Sequence, residues 1–514
     1  MSETVEAYNV PRGAAYFTSQ QVVSYLASFL FYIALARLLT RDEIGQVSLL
    51  AATLAIFNTI TQLALPATAT RYISSSLGRG QPDTAGAVVR TTLRAASLLA
   101  AAGGTVALIL SPSIGPAVFG TDATALLVTT FLAGLILDFT ALYGAYFLRA
   151  GLYAQATYQN FLYVPLSRGL GLVLAGLGLG VLGVVAGWAT GGLAALLVSV
   201  YMWRSRLPAK ANHPIRPLLA FTLPLFASTL ITLGQQWGDI ALLHAILGRL
   251  STTGAYYIVV SSVGFLSILW IPVSSALYPA LSAYHSTSNK QGITDRLQTA
   301  SRLTNLAVLP LSVSLAAVSS TALEIAYGPA YTEETTAFAI LTLTSIFTAQ
   351  AALLTATLQA TGKTHSLLKI TLAATIIDLA AVALTARMLG PTAGALGRAL
   401  LYVTSVALSY RFLRPIAHVQ VFSGFRHASI LALGVGIPLL LTDQLLTTFL
   451  SLTAILRLPV LLAVFTAAFL SVSRKARVFR PQDFAILKDA LPRRLHPYLR
   501  TVELLIIGPP STAP

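Results

Sequence analysis

The chain has 514 residues, of which 55% are hydrophobic and only 10% are charged. Soluble domains carry about 25% charged residues, and disordered chains are poor in apolar residues, so both classes are excluded. The absence of Cys also excludes disulfides, thiolate catalysis and thiolate metal sites. A net charge of +16 would suit nucleic-acid binding in a soluble protein. In a membrane protein the first question is which side of the bilayer the charges occupy.

Hydrophobic stretches long enough to cross a bilayer follow one another along the chain. At about 20 apolar residues per span, the composition allows about fourteen transmembrane helices. We therefore predict an all-α integral membrane protein. Glu3 and Glu6 stand where a signal peptide would be basic, so we expect a short cytosolic tail before the first helix. The predicted spans fall near 14–38, 44–66, 85–110, 123–148, 153–178, 180–203, 217–246, 253–283, 298–320, 335–360, 365–388, 391–413, 427–446 and 449–473.

The distribution of Lys and Arg orients the predicted bundle. With the N-terminus inside, 26 of the 33 basic residues fall on the inner side. Two basic residues lie inside spans, and five fall at outer ends: Arg168 and Arg398 inside, and Arg37, Arg41, Arg249, Arg387 and Arg457 outside. This asymmetry predicts a protein of the cell membrane with both termini in the cytoplasm. Because topology accounts for most of the positive charge, we do not expect a nucleic-acid partner.

The chain repeats itself at a shift of about 210 residues. Gly45 matches Gly254 at a shift of 209, and Arg94 matches Arg302 at 208. Further matches at 210 pair Leu148 with Leu358, Ala150 with Ala360, Gly180 with Gly390 and Gly187 with Gly397. The shift covers an even number of helices, so the halves form a parallel repeat, a design found in transporters. We predict an N-lobe of helices 1–6 (1–205), a C-lobe of helices 7–12 (206–415), an extra helix pair (416–475) and a basic amphipathic cytosolic tail (476–514).

Four segments carry a resemblance to a known family. They are LARLLTRDEIGQVSL (35–49), ALPATATRYISS (64–75), WGDIALLHAILGRLSTTGAYYI (237–258) and LQATGK (358–363). Over about 1–475 the sequence resembles the polysaccharide-transporter branch of the MOP flippase superfamily, which includes Wzx-type O-antigen flippases. Arg37 and Gly45 match the family's first outer corner, and Asp239, Gly254 and Tyr256 match its second. One departure is Thr40, which stands where the family usually has Gly.

The resemblance implies a MATE-like or MOP-like bundle of two six-helix lobes in parallel repeat. It implies a transporter that flips a polyprenyl-(pyro)phosphate-linked oligosaccharide from the cytosolic to the outer leaflet by alternating access, for polysaccharide or glycoprotein assembly. The partners would be this lipid-linked substrate and the membrane lipids, and a monomer is expected. No cofactor or metal is expected, and Na⁺, H⁺ or the membrane potential would drive transport.

Ionisable residues inside spans are the strongest candidates for function. Each costs about 2.5–3.5 kcal/mol on insertion scales unless it is paired or hydrated. The candidates are Asp138, Arg168, Asp239, Asp378 and Arg398. A shift of 210 places Arg168 and Asp378 at equivalent positions. Arg168 would bind a lipid phosphate and Asp378 an ion or proton; alternatively, each is satisfied by a hydrogen bond within its own lobe.

Polar clusters on helices 7 and 1 indicate a path for the substrate. On helix 7, Gln235 and Asp239 share one face, beside Gln236. On helix 1, a polar stripe repeats every four residues at Tyr16, Gln20, Ser24 and Ser28. Gln, Ser and Tyr suit glycan hydroxyls, and aromatic faces suit sugar rings. In both helices the alternative is structural: a helix–helix hydrogen bond for Asp239, and close packing of small residues for the stripe.

Other motifs are weaker candidates. Arg71 and Arg37 would contact phosphate at the inner and outer mouths, although Arg71 also fits the role of an ordinary inner-side arginine. The GxxxG pairs that join Gly183, Gly187 and Gly191 predict helix-packing seams. The tail over 482–499 mixes apolar and basic residues, which predicts a helix on the inner membrane surface.

Two other functions stay open. A membrane glycosyltransferase or polymerase would use an acidic pair in the first outer loop, where Asp42 and Glu43 lie. Such enzymes usually need a sizeable external loop, and every connection here is short. A MATE-type drug or cation antiporter would keep the fold and change the cargo, but that family tends to have twelve helices. The extra helix pair and the basic tail favour the flippase.

Overall fold

The structure is a computed structural model that describes residues 10–149, 152–203, 213–416, 420, 422–490 and 496–507. Within these ranges every regular element is a helix and none is a strand, which confirms the predicted all-α class. The α-helices are α1 (Val10–Leu38), α2 (Arg41–Gln62), α3 (Leu65–Gly78), α4 (Pro82–Phe119), α5 (Thr124–Arg149), α6 (Tyr153–Leu174), α7 (Gly180–Trp203), α8 (Ile215–Leu247), α9 (Leu250–Gly264), α10 (Ile271–Ser286), α11 (Lys290–Ala317), α12 (Ser319–Tyr327), α13 (Thr335–Ala360), α14 (Thr364–Leu389), α15 (Pro391–Leu413), α16 (Phe425–Thr448), α17 (Ala454–Lys475), α18 (Pro481–Ala490) and α19 (His496–Ile507).

Twelve segments of the described chain are long and apolar enough to cross a membrane. Each of the fourteen predicted stretches overlaps a helix. The two counts differ for two reasons. The 51-residue segment Tyr153–Trp203 is a single apolar run, although it contains both α6 and α7. In addition, α15 is not among the twelve. The number of fourteen spans therefore stays a prediction.

Glycines allow α6 and α7 to fold back on each other. Gly178 and Gly180 have φ angles of 98° and 51°, a conformation that costs glycine little, and they lie where the chain passes from one helix to the next. A Cβ atom on Gly187 would lie 2.5 Å from the Cα of Gly171, so the two backbones touch. A Cβ on Gly191 would likewise lie 2.6 Å from the Cα of Ser167. These close approaches confirm the GxxxG pairs as packing seams.

The chain forms two compact units. The first comprises Met1–Phe265 and Thr375–Gly394, and the second comprises Leu266–Ala374 and Ala395–Pro514. The first unit thus contains α1–α9 together with the second half of α14. The boundaries predicted for the N-lobe, the C-lobe and the helix pair remain predictions.

Each unit has its own hydrophobic core. In the first unit, Tyr146 and Phe147 of α5 are fully buried and pack with Trp203 of α7. In the second unit, Leu281 of α10 and Leu354 of α13 are fully buried in one cluster. Both cores join helices that are far apart in sequence, so they fix the arrangement within each unit.

In the first unit, α2 and α9 cross at two glycines. A Cβ atom on Gly45 would lie 2.1 Å from the carbonyl oxygen of Leu250. A Cβ on Gly254 would lie 2.2 Å from the carbonyl oxygen of Arg41. Only glycine permits backbones to approach this closely, which gives both glycines a structural role.

In the second unit, a buried ion network attaches the helix pair α16–α17. Arg457 of α17 is 4% exposed. Its Nη1 donates to Asp443 of α16 at 3.1 Å, and its Nη2 donates to Glu324 of α12 at 2.8 Å. Nη1 also donates to Thr321 and Thr447. One guanidinium on α17 therefore binds acidic side chains of two other helices. From the sequence alone, Arg457 is predicted only to lie at the outer end of a span.

The described part of the C-terminal tail packs on the second unit. Arg302 of α11 donates through Nη2 to Asp483 of α18 at 2.9 Å, and both side chains are largely buried. Phe484 is buried beside Phe479. At the far end of α18, Lys488 pairs with Glu503 of α19 at 2.5 Å. These residues contact protein, and whether the tail also lies on the inner membrane surface stays a prediction.

Candidate functional site

Arg168 lies on α6 in the first unit among aromatic rings. Its Cζ is 5.4 Å from the centre of the Phe31 ring of α1, a cation–π distance. Tyr163 lies five residues before Arg168 on the same helix, and the Tyr32 ring meets the Phe31 ring edge to face at 5.3 Å. Nη1 of Arg168 is buried and has no hydrogen-bond partner among the described residues. The guanidinium therefore lies among aromatic side chains, and its Nη1 can donate a further hydrogen bond.

Tyr257 of α9 links this arginine to two other helices. Its hydroxyl lies 2.6 Å from the hydroxyl of Tyr32 of α1, and the two rings meet edge to face at 5.4 Å. Trp237 of α8 stacks on Tyr257 at 6.1 Å between ring centres. Four helices therefore contribute to one group of side chains, named here the Arg168 cluster: Phe31, Tyr32, Tyr163, Arg168, Trp237 and Tyr257.

The polar stripe predicted on the first helix leads to this cluster. Gln20 and Ser24 lie on α1 and are half-buried, whereas the side chain of Tyr16 lies outside the described part. The hydroxyl of Ser28 donates to the Ser24 carbonyl at 2.5 Å. Another step of four residues reaches Tyr32, so the same spacing would have found this member of the cluster. A role for the stripe in the substrate path stays a prediction.

Asp239 of α8 is fully buried in the first unit. Its Oδ2 accepts a hydrogen bond from the hydroxyl of Tyr256 of α9 at 2.5 Å. Its Oδ1 accepts one from the backbone N–H of Ile240 at 2.9 Å. Of its predicted neighbours, Gln235 is half-buried and Gln236 is exposed. The structure therefore assigns Asp239 a helix–helix bond in this conformation, and its proposed role in coupling is still a prediction.

Asp378 and Arg398 lie in different units. Asp378 of α14 is fully buried in the first unit, on a helix segment that packs against α8 at Gly238 and Leu379. Arg398 of α15 is half-buried and belongs to the second unit. Both side chains interact with other residues. The pairing of Arg168 with Asp378 by repeat position stays a prediction.

Asp138 of α5 is 5% exposed and bonds to α2. Its Oδ2 lies 2.5 Å from the hydroxyl of Thr61, and its Oδ1 accepts from the side-chain amide of Gln62 at 2.9 Å. The sequence marked Asp138 only as a charge inside a span. Its partners are 76 and 77 residues away in sequence, which is why spacing could not reveal them.

The two arginines predicted at the mouths are both exposed. Arg37 lies in the last turn of α1. Arg71 of α3 places its Cζ 4.0 Å from the centre of the Phe221 ring of α8, in the first unit. This cation–π contact leaves the guanidinium edge available for an anion. Neither phosphate contact is tested by this geometry.

Glu43, one member of the acidic pair Asp42 and Glu43, has a structural role at the start of α2. Thr40 is the N-cap of α2, and its hydroxyl accepts from the backbone N–H of Glu43. Glu43 in turn accepts from the backbone N–H of Thr40 at 2.8 Å. This is a capping box, which satisfies two backbone donors and stabilises the start of a helix. Where the family usually has Gly, Thr40 therefore forms the corner through a side-chain cap on α2.

A cavity of about 510 Å³ lies in the second unit, and none of the residues that line it is a predicted site residue. Its lining is largely apolar and consists of Phe347, Val403, Val406, Ala407, Tyr410, Gln420, Phe422 and Ser423. Among the described residues, no group of three or more His, Asp or Glu side chains is arranged to hold a metal ion.

Comparison with known proteins gives a family and a fold. Residues 10–285, more than half of the chain, match the family model described as "Polysaccharide biosynthesis protein". No curated protein sequence matches the chain. The solved structures that resemble it include the lipid II flippase MurJ in an inward closed conformation, with 13% identity and a TM-score of 0.72 over 89% of this chain and 97% of that chain.

Two further solved structures resemble the chain. One is an inward-facing multidrug resistance MATE family transporter of the MOP superfamily, with 16% identity and a TM-score of 0.62 over 77% of this chain and 94% of that chain. The other is a MOP superfamily transporter from Pyrococcus furiosus, with 14% identity and a TM-score of 0.55 over 78% and 95%.

At these identities the structural likeness shows the fold. Together with the family match, it confirms the resemblance found in the sequence. These solved structures are described as transporters and a flippase. The chain is a multi-pass membrane protein that belongs to the polysaccharide biosynthesis protein family and has the fold of the MOP superfamily.

Proposed function

We propose that the protein flips a polyprenyl-(pyro)phosphate-linked oligosaccharide from the cytosolic to the outer leaflet of the cell membrane. The observation that carries this proposal is the Arg168 cluster. Membership of a polysaccharide biosynthesis family and the fold shared with a lipid II flippase both support it. The oligosaccharide would serve polysaccharide or glycoprotein assembly, and alternating access would move it across the membrane.

The chemistry of the Arg168 cluster suits both parts of such a substrate. A guanidinium donates two parallel hydrogen bonds to phosphate oxygens, and Arg168 has a buried Nη1 without a partner among the described residues. Aromatic faces such as those of Trp237 and Tyr257 pack against the apolar faces of sugar rings. A charge in the bilayer is kept at a cost, so an arginine here indicates a function.

The charge of the cluster also separates the two transport hypotheses. Arg168 lies 5.4 Å from the centre of the Phe31 ring, and the other members of the cluster are aromatic side chains. A cationic drug would be repelled by this guanidinium, whereas a phosphate would be attracted. The cluster therefore favours the anionic lipid over the cargo of a MATE-type drug antiporter.

Flipping in reconstituted vesicles tests the proposal. The assay follows a fluorescent polyprenyl-pyrophosphate oligosaccharide that an impermeant reagent quenches only in the outer leaflet. Loss of a charge-assisted hydrogen bond costs about 1.5–3 kcal/mol, so we expect Arg168→Gln to slow flipping about ten- to hundredfold. Arg168→Lys keeps the charge and should retain part of the rate. The matched control is Arg387→Gln, because Arg387 is exposed on α14.

Three results would contradict different parts of this proposal. Equal rates for wild-type and empty vesicles would remove the function. Equal rates for wild-type and Arg168→Gln would show that the Arg168 cluster has no role in flipping. Export of a cationic drug without flipping would establish the antiporter instead. We further propose that the protein acts as a monomer with both termini in the cytoplasm, driven by Na⁺, H⁺ or the membrane potential.

A further inference from the structure

Asp138 and Thr61 form a buried pair whose hydrogen bonds allow two protonation states. Asp138 Oδ2 lies 2.5 Å from Thr61 Oγ1, and Thr61 Oγ1 lies 2.8 Å from the carbonyl oxygen of Phe57 on its own helix. The Thr61 hydroxyl has one hydrogen and the Phe57 carbonyl has none to give. At any moment the hydroxyl can donate to the carboxyl or to the carbonyl, but not to both.

The two ways of placing that hydrogen correspond to two charge states of Asp138. When Asp138 is ionised, Thr61 donates to it, and the amide of Gln62 donates to the other oxygen at 2.9 Å. When Asp138 is protonated, its O–H donates to Thr61, which turns its own hydrogen to the Phe57 carbonyl. Both states are satisfied without movement of heavy atoms. A carboxyl group that only joined two helices would need just one of these two hydrogen-bond arrangements.

Among the described residues, the hydrogen-bond partners of Asp138 are neutral. Its contacts from α2 are the neutral groups of Thr61 and Gln62. From α4, Gly103 packs against Thr61. From α7, Gly192 packs against Ile136 and Leu137 beside it. None of these groups titrates, and burial opposes a permanent charge on Asp138.

A spare acceptor lies one turn away. Asn58 Oδ1 is buried without a hydrogen-bond partner among the described residues. It would lie 2.7 Å from a Cβ on Gly134, which is one turn before Asp138 on α5. The Asn58 oxygen is thus a second hydrogen-bond acceptor at the contact of α2 with α5, in addition to the carboxyl group of Asp138.

We propose that Asp138 is a proton-binding site and that the Thr61 hydroxyl is the partner that accommodates its gain and loss of a proton. The proton comes from water and returns to water, and only the O–H bond of the carboxyl forms and breaks. That this proton drives transport rests on the proposed function. Proton binding itself does not, so the two can be tested apart.

Infrared titration of the purified protein in lipid nanodiscs tests proton binding directly. The protonated carboxyl C=O stretch is followed against pH in wild type, Asp138→Asn, Thr61→Val and Thr61→Ser. The other carboxyl groups of the chain titrate as well, so we expect the wild-type minus Asp138→Asn difference spectrum to contain one titrating band that belongs to Asp138. Thr61→Val should move its midpoint by about one pH unit, since a hydrogen bond to a charged group is stronger than one to a neutral group. Thr61→Ser keeps the hydroxyl and should leave the midpoint unchanged.

The control is Asp295→Asn on α11, where Asp295 is exposed. This variant should leave the titrating band intact. If Asp138→Asn fails to insert, the comparison of Thr61→Val with Thr61→Ser still identifies the site. A wild-type band that keeps its intensity across the pH range in which the protein is folded overturns the proposal. So does a carboxyl titration that is the same in wild type and in Asp138→Asn.

Coupling is then measured in the flipping assay under an imposed pH gradient. We expect the gradient to change the wild-type rate about tenfold, the usual size of a coupling between sites, and to have little effect on Asp138→Asn. The Asp295→Asn rate should respond like wild type. Titration without any flipping would overturn the proposed function and leave the proton site standing. Flipping with an equal gradient response in Asp138→Asn would overturn the coupling.

Discussion

Gly45 and Gly254 contact each other's helix in a reciprocal way. Gly45 meets the carbonyl of Leu250, and Gly254 meets the carbonyl of Arg41. The repeat shift of 209 that relates Gly45 to Gly254 also relates Arg41 to Leu250. Each glycine thus contacts the residue that is equivalent to the one its partner contacts. Such an exchange is the mark of a two-fold axis between two elements. The 209-residue match found in the sequence thus coincides with one symmetric crossing of α2 and α9, while the parallel repeat of two lobes stays a prediction.

Adding a methyl group at this crossing should destabilise the first unit. In Gly45→Ala the new Cβ would lie 2.1 Å from a carbonyl oxygen, and in Gly254→Ala 2.2 Å, so the helices must separate. Overpacking costs about 1–3 kcal/mol, and because the contact is reciprocal the two losses should be similar. Thermal unfolding in detergent measures them. Gly169→Ala is the control, because a Cβ there meets nothing within 4 Å. Equal stability of all three variants would contradict the close crossing.

Removing Arg457 should release the helix pair α16–α17. Arg457→Met leaves Asp443 buried without its cation, and breaking a buried ion pair costs about 3–5 kcal/mol. Limited proteolysis near 449–453 and thermal unfolding report the loss. The double variant Arg457→Met with Asp443→Leu should recover part of the stability, since it removes both charges. A single variant no less stable than Arg387→Met, which alters an exposed arginine, would show that the network is dispensable.

The charge of Asp239 can be separated from its hydrogen bond. Asp239→Asn keeps an acceptor for the Ile240 N–H, and its amide can donate to the Tyr256 hydroxyl. We therefore expect a folded, inserted protein whose flipping rate falls about tenfold or more, if the charge couples transport. Tyr256→Phe is the complementary variant, because it removes the bond and keeps the charge. Normal flipping by Asp239→Asn together with slow flipping by Tyr256→Phe would leave Asp239 only a structural role.

The predicted orientation can be measured with single cysteines, since the chain has none of its own. Lys210→Cys, in the connection between α7 and α8 and outside the described residues, should react only with reagent on the cytosolic side. Arg249→Cys, between α8 and α9, should react only from outside. The physical basis is the excess of Lys and Arg on cytosolic loops. Labelling of Lys210→Cys from outside would reverse the topology.

Local signals in the sequence account for the helices and for the repeat. Apolar runs, their Gly and Pro boundaries and the 209-residue match of Gly45 and Gly254 are all readable in one dimension. The boundary between α2 and α3 was not predicted. Leu63 and Ala64 adopt left-handed backbone conformations within the stretch predicted as one span, 44–66. Nothing in these two residue types signals such a break.

The candidate site was predicted only in part, because its decisive contacts join distant segments. Arg168, Asp138 and Asp239 were found as charges inside spans, where their cost makes them conspicuous. Tyr257 was missed, since an aromatic residue in an apolar helix is ordinary until its partner 225 residues away is known. Glu43 was considered as part of an acidic pair, although the T-x-x-E spacing of Thr40 and Glu43 already matched a capping box.

Arg457 also sets an order of events during biosynthesis. The helices that neutralise it, α12 and α16, are made before α17. Arg457 is the fourth residue of α17, so a lone α17 would present an unpaired guanidinium at one end of its span. The carboxylates of Glu324 and Asp443 are already synthesised when that guanidinium appears, and they neutralise it as α17 joins the bundle. Packing of α17 thus completes an ion network whose acidic half belongs to helices made earlier.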